Sequence, residues 1–417
     1  MSVPSSVSLF DNWLLQRIHQ VLGKPPVRIV ARSGGEVSPT GTAPVAATFI
    51  SDHQTLVELC LNPDMGFGDA YAEGRIQVEG DLVALLESVY RSTSIVHSEG
   101  WYSKLAAQCL EWSQANTLSG SRRNIHHHYD LSTEFYRLWL DAKMVYTCAY
   151  FPSASATLEE AQFAKMEHVC RKLQLQPGER VVDAGCGWGA LALHMASHYG
   201  VNVRAFNISH EQILFAREQA KKLGVTGQVE FIEDDYRNIS GEFDAFVSVG
   251  MLEHVGSDHY ADVARVIQRS VGDAGRGLLH FIGRNQPRPL SAWTRKRIFP
   301  GAYMPALSQV VEMFEPLDFS VLDVENLRFH YAKTLEHWLS RFESCAECVS
   351  AMYDPKFVRT WRLYLAGALA GFRVGTLQLF QVVFAGPACQ QIPWTRAHVY
   401  APEPPTEQES KWFPVMS

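Results

Sequence analysis

The chain has 417 residues, 47% of them apolar and 19% charged, with a formal net charge of −7. This specifies an ordinary globular protein with room for two domains and a large core. The negative balance argues against a general nucleic-acid binder, which needs a basic face, and no apolar run approaches the roughly 20 residues of a membrane span. The beginning of the chain lacks a basic-then-apolar signal pattern, so the expected location is the cytoplasm. Eight cysteines are spread over the chain. Cys345 and Cys348 form the one C-x-x-C, which reads as two cysteines on a helical segment rather than a redox or zinc pair.

In chain order, Phe10, Leu14, Ile18 and Val21 mark one face of a first surface helix. Short strands are expected at Val27–Val30 and Thr48–Ile50, separated by the loop SGGEVSPTGTAP. GFGDAYAEGRIQVEGDL alternates turn residues with apolar ones, and DLVALLESVY reads as a helix. None of this carries an acid–base pair or metal spacing, so residues 1–115 read as a small domain serving substrate binding or assembly. The polar stretch Ser113–Arg123 places a linker at 116–125; a main domain follows at 126–400 and a Pro-rich tail at 401–417.

The main domain opens with NIHHHYDLSTEFYRLWLDAKMVYTCAYF. Adjacent His126, His127 and His128 point in different directions and have no further ligands at a useful spacing, so no metal site is expected. The aromatic residues around Cys148 read as core, and Cys148 itself as a buried thiol with nothing basic beside it in sequence.

RVVDAGCGWGA, Arg180–Ala190, is a buried strand end, a glycine turn and a helix start. Asp183 ends the strand, and Gly185, Gly187 and Gly189 let a ligand approach the backbone. The dinucleotide reading expects an acidic residue at the end of the next strand. That strand, Asn202–Phe206, is followed by Asn207, Ile208 and Ser209, so a ligand without pyrophosphate, such as S-adenosylmethionine, fits better than NAD. Further strands are read in QVEFIEDDY, FDAFVSVGMLEHVG, RGLLHFIG, SVLDVENL and LFQVVFAG. The alternation predicts an α/β fold with a seven-stranded, mainly parallel, doubly wound sheet and the site at the strands' carboxyl ends. Glu253 and His280 sit at two such ends, where a carboxylate and an imidazole can relay protons or hold an anion, or serve only as hydrogen-bonded structural residues.

Taken together and in order, HYDLSTEFYRLWLD, MVYTCAYF, VVDAGCGWG, NISHEQ, GMLEHVG, LLHFIG, IFPGAYMP, HYAKTLEHW and LAGFRVG resemble the cyclopropane-fatty-acyl-phospholipid synthases over nearly all of residues 120–390. GFGDAYAEG is similar to the lipid-handling domain of the family's two-domain members. The resemblance implies S-adenosylmethionine bound by Gly185 and Gly187 together with Tyr146 and Thr147, its ribose near Asn207 and Gln212, and its adenine near Asp235, Tyr236 and Arg237. It also implies a bicarbonate ion, acting as base, held by Cys148, Glu253, His280, the backbone at Ile282, and Tyr331. The implied reaction is methylene transfer to the cis double bond of unsaturated phospholipid acyl chains, through a carbocation that closes to a cyclopropane. Homodimers, and a peripheral location on the inner membrane surface, are implied as well.

The chain departs from the family at Ser132 and Thr133, usually glycine and asparagine, at Asn207, usually threonine, and at Thr147, usually serine. WTRKRIF, with Trp293 and Phe299 flanking Arg295, Lys296 and Arg297, reads as a membrane contact or as a solvated basic face. Alternative functions are a methylene or methyl branch instead of a ring, methyl transfer to a small amine, and non-catalytic lipid binding.

Overall fold

The computed structural model describes residues 9–97 and 131–400. Its first part holds α1 (Leu9–Val21), β1 (Arg28–Ala31), β2 (Glu36–Val37), β3 (Ala46–Ile50), α2 (His53–Leu61), α3 (Pro63–Ala72), β4 (Ile76–Gly80) and α4 (Leu82–His97). The four strands form one sheet in the order β2-β1-β3-β4. On α1 the buried face is Leu14, Leu15 and Ile18, whereas Phe10 and Val21, expected on it, are exposed.

The GFGDAYA segment is not a series of turns. It is helix α3, begun by the Asn62 side chain accepting from the Met65 N–H, with Pro63 in the first turn. Its glycines serve close packing instead: a Cβ on Gly68 would lie 2.2 Å from the Trp293 ring.

The second part holds α5 (Thr133–Arg137), α6 (Leu158–Leu173), β5 (Arg180–Ala184), α7 (Ala190–Tyr199), β6 (Asn202–Asn207), α8 (His210–Leu223), β7 (Val229–Glu233), β8 (Ala245–Val249) and α9 (Tyr260–Val271). It continues with β9 (Arg276–Gly283), α10 (Ala292–Arg297), α11 (Leu307–Glu312), β10 (Ser320–Asn326), α12 (Arg328–Ser344), α13 (Ala346–Met352), α14 (Pro355–Val374), β11 (Gln378–Ala385) and α15 (Ala397–Tyr400). The sheet runs β10-β11-β9-β8-β5-β6-β7. Only β11 is reversed, pairing antiparallel with both β9 and β10. The fold is thus the seven-stranded, mainly parallel α/β sheet expected. β8 and β11 are buried along their whole length, as strands covered on both faces must be.

The helices that frame the site begin at strong caps. Thr157 and Glu160 form a reciprocal capping box on α6. Asp354 caps α14, with Pro355 in its first turn and Gly375 closing it in the left-handed region.

Helix α14 packs against α3, α4 and α12. One apolar cluster therefore runs from Leu15 and Leu56 through Leu86 to Trp139, Trp338 and Trp361, so the first part shares its core with the second. No described helix is long and apolar enough to cross a membrane. The expected linker and tail lie outside the described residues.

Candidate active site

The glycine turn follows β5 as expected. Gly185 has φ +93°, and a Cβ there would lie 2.9 Å from Met251. Gly187, at φ +55°, has nothing within 4 Å of where its Cβ would be, and the space it faces is a cavity of about 1490 Å³. The Asn207 amide donates to the Gly187 carbonyl (3.2 Å) and to Gln212 Oε1 (2.6 Å), which ties the ends of β6 and α8 to the turn. Asp183 is buried beneath it with Oδ2 unpartnered, and burial raises its carboxyl to about 7 against the opposing pull of Lys165.

Cys148, Glu253, His280, Ile282 and Tyr331 line the same cavity as Tyr146, Thr147, Asp183, Gly185, Gly187, Asn207 and Gln212. Glu253 lies in a short helical turn after β8. Its Oε1 accepts from the Ile282 N–H at 2.6 Å, and its Oε2 is buried without a hydrogen-bond partner. Burial pushes this carboxyl to about 7, so near neutral pH it can act as donor or acceptor.

His280, on β9, pairs through Nδ1 with the Gln381 amide nitrogen at 3.1 Å, while Nε2 is buried and unpartnered. With the amide donating, the imidazole proton sits on Nε2. Burial and nearby cations hold the ring well below its usual pKa, hence neutral. Two residues lining one cavity thus each carry a buried polar atom without a partner, and a protonated Glu253 carboxyl and the His280 N–H could both donate to an acceptor there.

Cys148 is fully buried, its Sγ–H donating to the Ala149 carbonyl (3.1 Å), and burial keeps it a thiol. The Tyr331 and Phe372 rings meet at a tilt of 34° with centroids 4.5 Å apart, and the Tyr146 hydroxyl meets that of Tyr364 at 2.9 Å. The neighbouring aromatic residues Phe135, Tyr136 and Trp139 are core.

Asp235, Tyr236 and Arg237 do not line the cavity. They occupy the turn after β7, where Arg237 grips Asp235 through Nε (2.7 Å) and Nη2 (2.9 Å). The preceding Asp234 N–H donates to the Asn207 carbonyl, which keeps that turn on the same edge of the sheet. The three histidines lie outside the described residues. Among the described residues no group of three or more His, Cys, Asp or Glu side chains is placed to hold a metal ion.

In the WTRKRIF segment Lys296 is exposed and Arg295 half-buried, neither in an ion pair among the described residues, whereas two of its residues are engaged. Trp293 is buried against Gly68, and Arg297 is paired with Asp69 at 2.7 Å.

Two features of the site were not expected. Lys165 projects from α6 into the cavity, fully buried, and donates to Thr147 Oγ1 at 3.1 Å. Burial lowers it to about 8 despite Asp141, Cys148 and Asp183 around it. The first part of the chain also supplies walls: Val27, Ile29, Ile50, Leu59, Leu85 and Leu86 face the same cavity.

A sheet of this order, with a glycine turn at the carboxyl end of its first strand opening onto a large, largely apolar chamber, is that of an S-adenosylmethionine-dependent methyltransferase. Comparison with known proteins gives the family. The family model for mycolic acid cyclopropane synthetase matches residues 117–382, and the chain belongs to that family. A probable fatty acid methyltransferase of Pseudomonas putida is 34% identical over 390 residues, covering 90% of this chain and 96% of the relative. The cyclopropane-fatty-acyl-phospholipid synthase of Escherichia coli (strain K12) is 40% identical over 259 residues, covering 62% of this chain and 66% of the relative. Among solved structures, the mycolic acid cyclopropane synthase CmaA1 complexed with SAH and CTAB superposes with a TM-score of 0.60 at 30% identity, covering 63% of this chain and 97% of that one.

Proposed function

We propose that the protein transfers a methylene group from S-adenosylmethionine to the cis double bond of unsaturated acyl chains in phospholipids, closing a cyclopropane ring. The observation that carries this reading is the single cavity in which the glycine turn, the orphaned Glu253 and His280 atoms and long apolar walls meet. Its volume exceeds that of an ordinary small-molecule pocket, and it has room for a methyl donor and a long chain together.

When bound, S-adenosylmethionine supplies an electrophilic methyl group. Gly185, Gly187 and the Asn207–Gln212 pair form the cradle, and Asp183 offers a buried acceptor oxygen to the positively charged end of the donor. Tyr146 and Thr147, which line the same cavity, would also contact it. Asp235, Tyr236 and Arg237, in the turn that Asp234 ties to Asn207, are the residues that would flank the adenine. The apolar walls hold the alkene and keep out water, which would otherwise capture a cationic acyl chain as an alcohol. The faces of Tyr331, Tyr364 and Phe372 stabilise positive charge on the chain. Glu253, His280, Cys148, Tyr331 and the Ile282 backbone are the residues that would hold bicarbonate, which would supply the base that removes the proton. Peripheral contact with the inner membrane surface follows from a substrate that resides in a bilayer.

Incubation with S-adenosylmethionine and unsaturated phospholipid vesicles, followed by a proton spectrum of the lipid, tests the reading. Cyclopropyl resonances are expected; unchanged lipid overturns it. The relative named as a probable fatty acid methyltransferase favours a second reading, in which the same transfer ends in a methylene or methyl branch. Olefinic methylene or branched methyl signals identify that outcome.

A further inference from the structure

Where β9 ends, the segment Arg284–Ser291 runs along the cavity wall between the two parts of the chain. Arg284 continues the extended strand, its N–H donating to the Pro305 carbonyl at 2.8 Å. Side chains alternate along such a strand, so His280, Ile282 and Arg284 share a face, and all three line the cavity. At about 3.3 Å per residue, Arg284 stands roughly 13 Å from His280.

Arg284 is buried, the residue only 7% exposed, and its Nε has no hydrogen-bond partner. Arg288, four residues on, is exposed at the lip of the same cavity. Neither guanidinium forms an ion pair among the described residues. The carboxylate in that wall, Asp64, is committed elsewhere: its Oδ2 accepts from the Ala292 N–H (2.5 Å) and the Trp293 N–H (3.4 Å) at the start of α10. Two cations of like sign thus face one apolar chamber without neutralisation. Burial, with Arg288 adding repulsion, lowers Arg284 to about 10, still cationic at neutral pH. An unpaired buried guanidinium is costly, and its planar fork is suited to two oxygens of one anion.

We propose that Arg284 and Arg288 form a subsite for the phosphodiester of an intact phospholipid whose unsaturated chain lies against Glu253 and His280. This rests on the acyl-chain reading above and adds to it the group that is recognised. Arg284 meets the phosphate from inside, while Arg288 at the lip leaves the rest of the headgroup in water. The roughly 13 Å to His280 is bridged by the carboxyl-proximal half of a common unsaturated acyl chain, so anchoring the phosphate selects which bond reaches the reacting centre.

Binding that needs no turnover is the first test. Calorimetry with dioctanoyl-phosphatidylglycerol below its micelle threshold, and with dioctanoylglycerol, compares the parent with Arg284→Gln and Arg288→Gln. The expected result is at least tenfold weaker binding of the phospholipid with dioctanoylglycerol unchanged, and recovery in Arg284→Lys. Equal loss for both lipids, or no loss, overturns the subsite. S-adenosylmethionine affinity within twofold of the parent shows that the variants are folded.

Turnover is the second test. On dioleoyl-phosphatidylglycerol vesicles KM is expected to rise at least tenfold in Arg284→Gln, with kcat within twofold. On oleic acid micelles the variant is expected to match the parent; a selective loss there instead assigns the pair to a carboxylate and overturns the phosphodiester. A parent that binds the phospholipid in an arginine-dependent way but alkylates no acyl chain sinks the proposed reaction and leaves the subsite standing.

Discussion

Replacing Glu253 with glutamine separates what the carboxyl does for the reaction from what its burial does to the fold. Burial moves it from 4.5 to about 7, so between those values the folded protein holds a proton that the unfolded chain has released. The sign follows: below pH 4.5 both states are protonated and there is no penalty, the penalty grows as pH rises, and it is complete above about 7. A shift of this size amounts to about 3 kcal/mol at pH 8 and roughly 1 kcal/mol at pH 5. Glutamine keeps an oxygen for the Ile282 N–H and never ionises. E253Q is therefore expected to gain about 2 kcal/mol more stability over the parent at pH 8 than at pH 5, while turnover falls about 100-fold or more for want of a titrating group. Urea unfolding followed by tryptophan fluorescence at the two pH values measures the first effect, and methyl transfer to lipid the second. A stability difference that is the same at both pH values would refute the argument that this carboxyl is held in a desolvated site.

Lys165→Met removes the cation that opposes the burial-driven rise of Asp183. Asp183 should then stay protonated at neutral pH, and S-adenosylmethionine affinity should fall about tenfold; a calorimetric Kd within twofold of the parent contradicts this. Tyr331→Phe is expected to lower kcat at least about tenfold while donor affinity holds, because the hydroxyl serves the reacting centre rather than the cradle; parallel loss of both would show the role to be structural. Gly68→Ala forces a methyl group to within 2.2 Å of the Trp293 ring, and overpacking of this kind costs about 1–3 kcal/mol. The melting temperature should fall accordingly, and an unchanged midpoint would mean that the α3–α10 contact is loose.

All seven strands of the main sheet were legible, most of them because buried strands leave runs such as VVDA, AFVSV and LLHFIG between helical patterns. The reversal of β11 was not. LFQVVFAG has the composition of its neighbours, and its direction is set by where α14 delivers the chain. Helix α3 was missed because Gly66 and Gly68 carry a turn signal in sequence, although here the missing side chains make room for Glu58 and Trp293.

Asp183, Glu253 and His280 could be singled out as candidates because carboxyl ends of strands are where such folds place chemistry. The unpartnered oxygen and nitrogen of the last two, which support the proposed role, exist only in three dimensions. Lys165 looks in sequence like any lysine of an amphipathic helix, and only packing shows that it points inward. The chamber walls at Leu59, Leu85 and Leu86 were not singled out in sequence, since apolar alternation does not tell a filled interior from a lined passage.

That passage is built by two stretches of chain with separate duties. None of the groups proposed to hold the methyl donor comes from residues 9–97, and yet this stretch bounds the same cavity, into which the proposed acyl chain would extend. Reach and reactivity can therefore drift apart under selection: trimming or bulking Leu59, Leu85 or Leu86 resizes the receptacle without disturbing an atom of the catalytic constellation. An engineer seeking altered acyl preference would start there, some way upstream of every residue that does chemistry.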